Sequence, residues 1–98
     1  MVQATTPTFI LTLPSDIDLG EAQNVYFTLR QGPTFVNKKV TTISGNTAQV
    51  SLTQAETVAL MQGTASVQLN WTYSGGLRAA SKIVNINIDG NLLTGVIE

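Results

Sequence analysis

The acidic and basic side chains of this 98-residue sequence are few: Asp16, Asp18, Glu21, Glu56, Asp89 and Glu98, with Arg30, Lys38, Lys39, Arg78 and Lys82. There is no histidine and no cysteine. Thiolate nucleophiles, disulfides, Cys/His zinc sites and every histidine-based triad are therefore outside its repertoire. A hydrolase built on two carboxylates needs a cleft that pushes one of their pKa values upward. So small and weakly charged a chain is not expected to build one, and we expect no catalysis, no cofactor and no metal.

Two acidic patterns invite a closer reading. Asp16-Ile17-Asp18 opens like a calcium loop, but the fifth position holds Gly20 and the twelfth Phe27. An EF-hand needs oxygen ligands at both, so the loop reads as a solvated turn. Thr53-Gln54-Ala55-Glu56 fits a capping box, in which the Thr53 hydroxyl accepts from the Glu56 amide while the Glu56 carboxylate reaches back. A sugar-stacking platform could use Trp71 and Tyr73, joined by Tyr26. The phase of Trp71 with Val67 and Leu69 instead predicts a core tryptophan. Lys38-Lys39 reads as charge protecting an edge strand, since two lysines neutralise too few phosphates to hold nucleic acid.

The elements that position these residues follow from hydrophobic periodicity. Alternation with period two predicts strands at Thr8–Leu13, Asn24–Gln31, Thr34–Val40, Thr41–Ile43, Thr47–Leu52, Ala65–Tyr73 and Leu77–Ile88. Gly32-Pro33, Ser44-Gly45-Asn46, Ser74-Gly75-Gly76 and Asp89-Gly90-Asn91 are the turn signals between or after them. The last strand is long enough to bend or bulge near Ala79-Ala80-Ser81. After the capping box, Val58, Leu60 and Met61 predict a short helix that Gly63 can end. About seven short strands, with one short helix between the fifth and sixth, give an all-β fold. The expected architecture is an antiparallel, immunoglobulin-like β-sandwich over residues 1–98 as one domain. A partly open barrel is the alternative.

Composition narrows the partners. Hydrophobic residues make up 43% and charged residues 11%, with a formal net charge of −1. Disorder needs the opposite balance. No basic field is present to bind nucleic acid or a membrane surface, and no apolar run approaches a membrane span. The N-terminus lacks the basic start and long apolar stretch of a secretory signal, so none is expected.

Several segments resemble a known group. Thr5-Thr6-Pro7-Thr8 with the following Phe-Ile-Leu-Thr-Leu-Pro, then Val25-Tyr26-Phe27-Thr28-Leu29-Arg30-Gln31-Gly32, resemble short prophage proteins of Gram-positive bacteria. Val50-Ser51-Leu52-Thr53-Gln54-Ala55-Glu56-Thr57 is similar to their "L-T-Q-E-x-T" segment, and Gly63–Leu69 to their "v-x-v-Q-v" strand. Arg78-Ala79-Ala80-Ser81-Lys82-Ile83-Val84 and the ending Leu93-Thr94-Gly95-Val96-Ile97 resemble "A-x-S-N-I-V…L-x-x-G-V-I", with Lys82 in place of the Asn. These proteins are encoded among tail and baseplate genes and look distantly like the N-terminal domain of phage upper baseplate proteins. The resemblance implies a non-enzymatic structural or assembly role, with other phage structural proteins as partners, in the virion or the host cytoplasm. It carries over no functional residue. The rival expectation is a small carbohydrate-binding module for recognising a host wall.

The candidate contact residues are Leu92, Leu93, Val96 and Ile97, with Lys38 and Lys39. An apolar tail after a complete set of strands should leave water, either along its own sheet or on another subunit. Self-association, where it occurs, is expected to be weak and to use this tail or the edge at Lys38-Lys39.

Overall fold

The structure, a computed structural model, describes residues 1–2 and 4–91. The tail residues Leu92, Leu93, Val96 and Ile97 lie outside these. The described residues are all-β apart from two single helical turns. In chain order the strands are β1 (Thr8–Thr12), β2 (Asn24–Gln31), β3 (Thr34–Lys39), β4 (Thr42–Ser44) and β5 (Thr47–Ser51). They continue with β6 (Gly63–Thr72), β7 (Arg78–Ala80) and β8 (Val84–Ile88). One helical turn, α1 (Gln54–Thr57), stands between β5 and β6, where a helix was expected.

The strands form two antiparallel sheets around one core. The smaller runs β1-β5-β4, and the larger runs β3-β2-β6-β7 with β8 also paired to β6. Alternation decides the faces. Val25, Phe27 and Leu29 of β2 and Ala65, Val67, Leu69 and Trp71 of β6 are buried. From the opposite sheet, Ala48 and Val50 of β5 are buried too, and the Phe9 ring meets that of Phe27 at 5.2 Å between centroids. Ile10, out of phase in the sequence, is 67% exposed on the outer face.

Two hairpins close through two-residue loops whose first residue is a glycine at positive φ, Gly32 at 56° and Gly45 at 57°. This is the pattern of turns whose twist matches the flanking strands.

Three local expectations are corrected. The helix is shorter than Val58, Leu60 and Met61 suggested: it ends at Val58, Leu60 is buried beyond it, and Met61 is 70% exposed. Gly63 opens β6 rather than closing the helix. The single strand expected over Leu77–Ile88 is two strands, β7 and β8, so the described residues hold eight strands where about seven were expected.

The break, residues 81–83, begins inside the bend expected near Ala79-Ala80-Ser81 and has a visible cause. Asn70 faces Ala80 and Val67 faces Val84, so three steps along β6 oppose four along β7–β8. The Ser81 hydroxyl accepts the Leu69 amide at 2.9 Å, filling the ladder position that the extra residue disturbs.

Candidate functional site

The capping box fixes the first polar cluster. Thr53 Oγ1 accepts the Glu56 amide at 3.2 Å, and Glu56 Oε1 accepts the Thr53 amide at 2.8 Å. The same carboxylate oxygen is met by Lys38 Nζ at 3.0 Å, and that ammonium also donates to the Ser51 carbonyl at 2.7 Å. Partial burial pushes the Glu56 carboxyl up. The Thr53 amide, the Lys38 ammonium and the Thr53 hydroxyl together outweigh it and hold the pKa below its ordinary value. A general acid needs the opposite shift.

Lys38 shares its side of β3 with the buried Val36 and Val40 and reaches across to β5 and α1. β3 is an outer strand of the larger sheet, so an inward-turned lysine there guards an edge against pairing. Lys39 points the other way and is exposed. The two neighbours thus differ: Lys38 ties the sheets together and Lys39 faces solvent.

The remaining acidic pattern is local. Asp18 Oδ1 accepts the Gly20 amide at 2.9 Å and caps the 3-10 turn Leu19–Glu21, whose Leu19 is fully buried. Among the described residues no group of three or more His, Cys, Asp or Glu is placed to hold a metal ion. Among them also, no helix is long and apolar enough to cross a membrane.

The aromatic residues separate. Trp71 is 3% exposed, and Tyr73 is half-buried against the core. Trp71 pairs with Val25, so Tyr26 lies on the opposite face of the sheet. Tyr26 instead belongs to the outer face of β2 and β3, where Arg30 pairs with Phe35 and Tyr26 with Lys39. Phe35 is 55% exposed, and the Arg30 guanidinium carbon stands 5.0 Å from its ring centroid. Between them Thr28 Oγ1 donates to Asn37 Oδ1 at 2.7 Å. This face holds Tyr, Arg and Phe around a tied polar pair, a composition typical of interface anchors.

An apolar concavity lies elsewhere. A groove of about 610 Å³ runs between β1 and the inner face of β7–β8, lined by Phe9, Leu11, Leu13, Val67, Val84 and Ile86, with Lys82 at its border. Its lining is mostly apolar, and among the described residues it gathers no pair of acidic side chains. A smaller cleft of about 260 Å³ sits beside Lys38 and Lys39 against β4 and β5.

Several positioning residues carry no sequence signal. Thr57 is fully buried and donates from Oγ1 to the Thr5 carbonyl at 2.7 Å, tying α1 to the segment before β1. Gln31 clamps Met61 with both ends of its amide, Oε1 from the Met61 amide and Nε2 to its carbonyl, each at 2.7 Å. Asn46 Nδ2 bonds the Leu13 carbonyl. Polar residues at strand and turn positions look alike in sequence, and their partners are 30 to 52 residues distant in the chain for reasons only the fold supplies.

No protein-family model matches this chain, and no curated protein is similar to it.

Proposed function

We propose that the chain is an immunoglobulin-like sandwich acting by protein–protein contact, without catalysis, as a structural or assembly component of a phage tail or baseplate. The observation that carries it is the outer face of β2 and β3, where exposed Tyr26, Arg30, Phe35 and Lys39 stand on a paired, rigid hairpin. Aromatic and arginine side chains held this way anchor interfaces at low entropic cost.

The immunoglobulin-like reading rests on strand order. In such folds one sheet runs A-B-E-D and the other C-F-G, with C′ beside C in some. Taking β1 as B, the order β1-β5-β4 reads B-E-D, and β3-β2-β6-β7/β8 reads C′-C-F-G. The A position beside β1 has no strand among the described residues.

The partners are other phage structural proteins, in the virion or the host cytoplasm. Weak self-association through the edge at Lys38-Lys39 or through the apolar residues Leu92, Leu93, Val96 and Ile97 belongs to the same proposal. Co-expression with the products of the genes flanking its own, followed by size-exclusion chromatography, tests it. A stable complex with a tail or baseplate protein supports the reading. Retention on host-wall polysaccharide, with no protein complex, overturns it in favour of a carbohydrate-binding module using Tyr26 and Phe35.

A further inference from the structure

Charge is distributed unevenly over the molecule. Three of the five basic side chains stand on the larger sheet's outer face: Arg30 on β2, Lys39 on β3 and Arg78 on β7. Register puts them on one side. Lys39 pairs with Tyr26, Tyr26 with Asn70, and Arg78 with Thr72, two residues along β6 from Asn70. The Arg78 guanidinium agrees, donating from Nη2 to Asn70 Oδ1 at 3.1 Å. Among the described residues no strand carries an Asp or Glu: Asp16, Asp18 and Glu21 precede β2, Glu56 is in α1 and Asp89 follows β8. The ion pair among these residues is Lys38–Glu56, so none of the three outer cations is paired with a described carboxylate.

Both arginines are held in place. Arg30 donates from Nε to the Gly32 carbonyl at 3.2 Å while its guanidinium lies over the Phe35 ring. Arg78 is fixed by Asn70. A guanidinium has five donors and each of these bonds uses one, so a planar carboxylate can still be met at two points. Strand spacing sets the backbone of Lys39 about 14 Å from that of Arg30 and about 16 Å from that of Arg78. These separations exceed the Debye length of about 8 Å at physiological salt, so each cation needs its own counter-charge. One small anion does not satisfy them, and three charges are too few for nucleic acid. Exposed Tyr26 and Phe35 stand among them on the same face.

We infer that the partner of this face is an acidic protein surface, which sets separate carboxylates against Arg30, Lys39 and Arg78 and apolar side chains against Tyr26 and Phe35. This rests on the reading that the chain works by protein contact, and it adds the partner's charge and the participation of β7. The complementarity belongs to the face and not to the chain, whose formal net charge is −1. Potentials matched in this way steer encounter and reject partners of the wrong sign.

A second copy of the chain matches the face less well. Its acidic loop gathers Asp16, Asp18 and Glu21 within six residues. The loop is folded tightly, with the Ile17 amide bonded to the Pro14 carbonyl and a 3-10 turn at Leu19–Glu21. Asp18 Oδ1 is already engaged by the Gly20 amide. So compact a cluster does not reach three cations spread about 14–22 Å apart. An acidic surface of another protein can.

Titration of the isotope-labelled full chain with poly-L-glutamate, followed by NMR, tests the inference. The amides of Tyr26, Arg30, Phe35, Lys39, Asn70 and Arg78 should shift together, and raising the salt from about 50 to about 200 mM should weaken binding at least about 3-fold. Arg30→Glu, Lys39→Glu and Arg78→Glu should each weaken it at least about 3-fold. Lys82→Glu, at the border of the groove on the other side of the sheet, should change it less than about 2-fold. Amide spectra of the free variants report that each is folded. No binding, or a loss from Lys82→Glu as large as from the other three, overturns the inference. Tighter binding of the same face to polygalacturonate than to poly-L-glutamate overturns it in favour of an acidic polysaccharide. Self-association that Asp16→Asn with Glu21→Gln abolishes would assign the face to a second copy. The contact reading fails separately, when no tail or baseplate protein encoded beside the chain binds it. A neighbour that binds the native and Arg78→Glu chains alike would keep that reading and overturn this one.

Discussion

Trp71 offers the sharpest test of the packing, because its indole is buried while its Nε1 has no hydrogen-bond partner among the described residues. Replacing it with alanine removes most of an aromatic surface of about 150–250 Å², worth about 4–6 kcal/mol at ~25 cal/mol per Å². The retained methyl group and partial collapse of the site reduce this, and the expected loss is about 3–5 kcal/mol. Much of the stability of a domain this size, about 5–15 kcal/mol, would go with it.

Phenylalanine separates the two components. It keeps most of the packing and deletes the unpartnered N–H, whose burial costs about 1–3 kcal/mol. The smaller ring leaves a void of opposite sign, so Trp71→Phe should change stability by no more than about 1.5 kcal/mol. Urea unfolding followed by far-ultraviolet circular dichroism measures both, since the chain's sole tryptophan is the residue removed. Equal, large losses for the two variants would show that the indole N–H is bonded in the folded protein and would refute the reasoning. No loss for Trp71→Ala would place the ring in solvent.

Other substitutions test the ties between the sheets and their connections. Thr53→Ala removes the acceptor of the Glu56 amide and should cost about 0.5–2 kcal/mol in a denaturant melt. Thr57→Val leaves the Thr5 carbonyl without its donor and should cost about 1–2 kcal/mol, whereas Thr57→Ser should recover most of it. The Glu56 pKa is held below its ordinary value, so its contribution is present above the unfolded pKa and disappears as pH falls through the folded one. With both partners partly exposed, Glu56→Gln should lose about 0.5–1 kcal/mol at pH 7 and nothing once both folded and unfolded carboxyls are protonated. Urea melts of both proteins from pH 7 to about pH 2 would show the two curves converging.

The sequence makes local features legible and leaves assembly obscure. Strict alternation in β2 and β6 identifies their buried faces, because both central strands pack one side against the whole opposite sheet. The Thr53–Glu56 box is readable because all its partners lie within four residues. Lys38-Lys39 is readable as edge protection, and alternation with Val36 and Val40 turns Lys38 inward, but its ties to Ser51 and Glu56 appear only when the fold brings β5 and α1 opposite. The alternation of Val84, Ile86 and Ile88 gives their face correctly. It cannot show that Val84 is nonetheless 52% exposed, since that depends on what the other sheet lays over it. The outer face of β2 and β3 was legible only as the polar half of an alternation. Its grouping of Tyr26, Arg30 and Phe35 appears when the hairpin register brings β3 alongside.

The contact role is tested most directly by sedimentation velocity of the full chain mixed with each tail or baseplate protein encoded beside it, using both the native sequence and Phe35→Asp. Phe35 is exposed on the outer face, so the substitution should leave the far-ultraviolet spectrum and melting temperature within a few degrees of native. The predicted result is a faster-sedimenting complex with at least one of these proteins, weakened at least about 10-fold by Phe35→Asp, the loss expected of an interface anchor. A complex of equal affinity with both sequences would contradict the assignment of the β2–β3 face, and no complex with any of them would contradict the contact role itself.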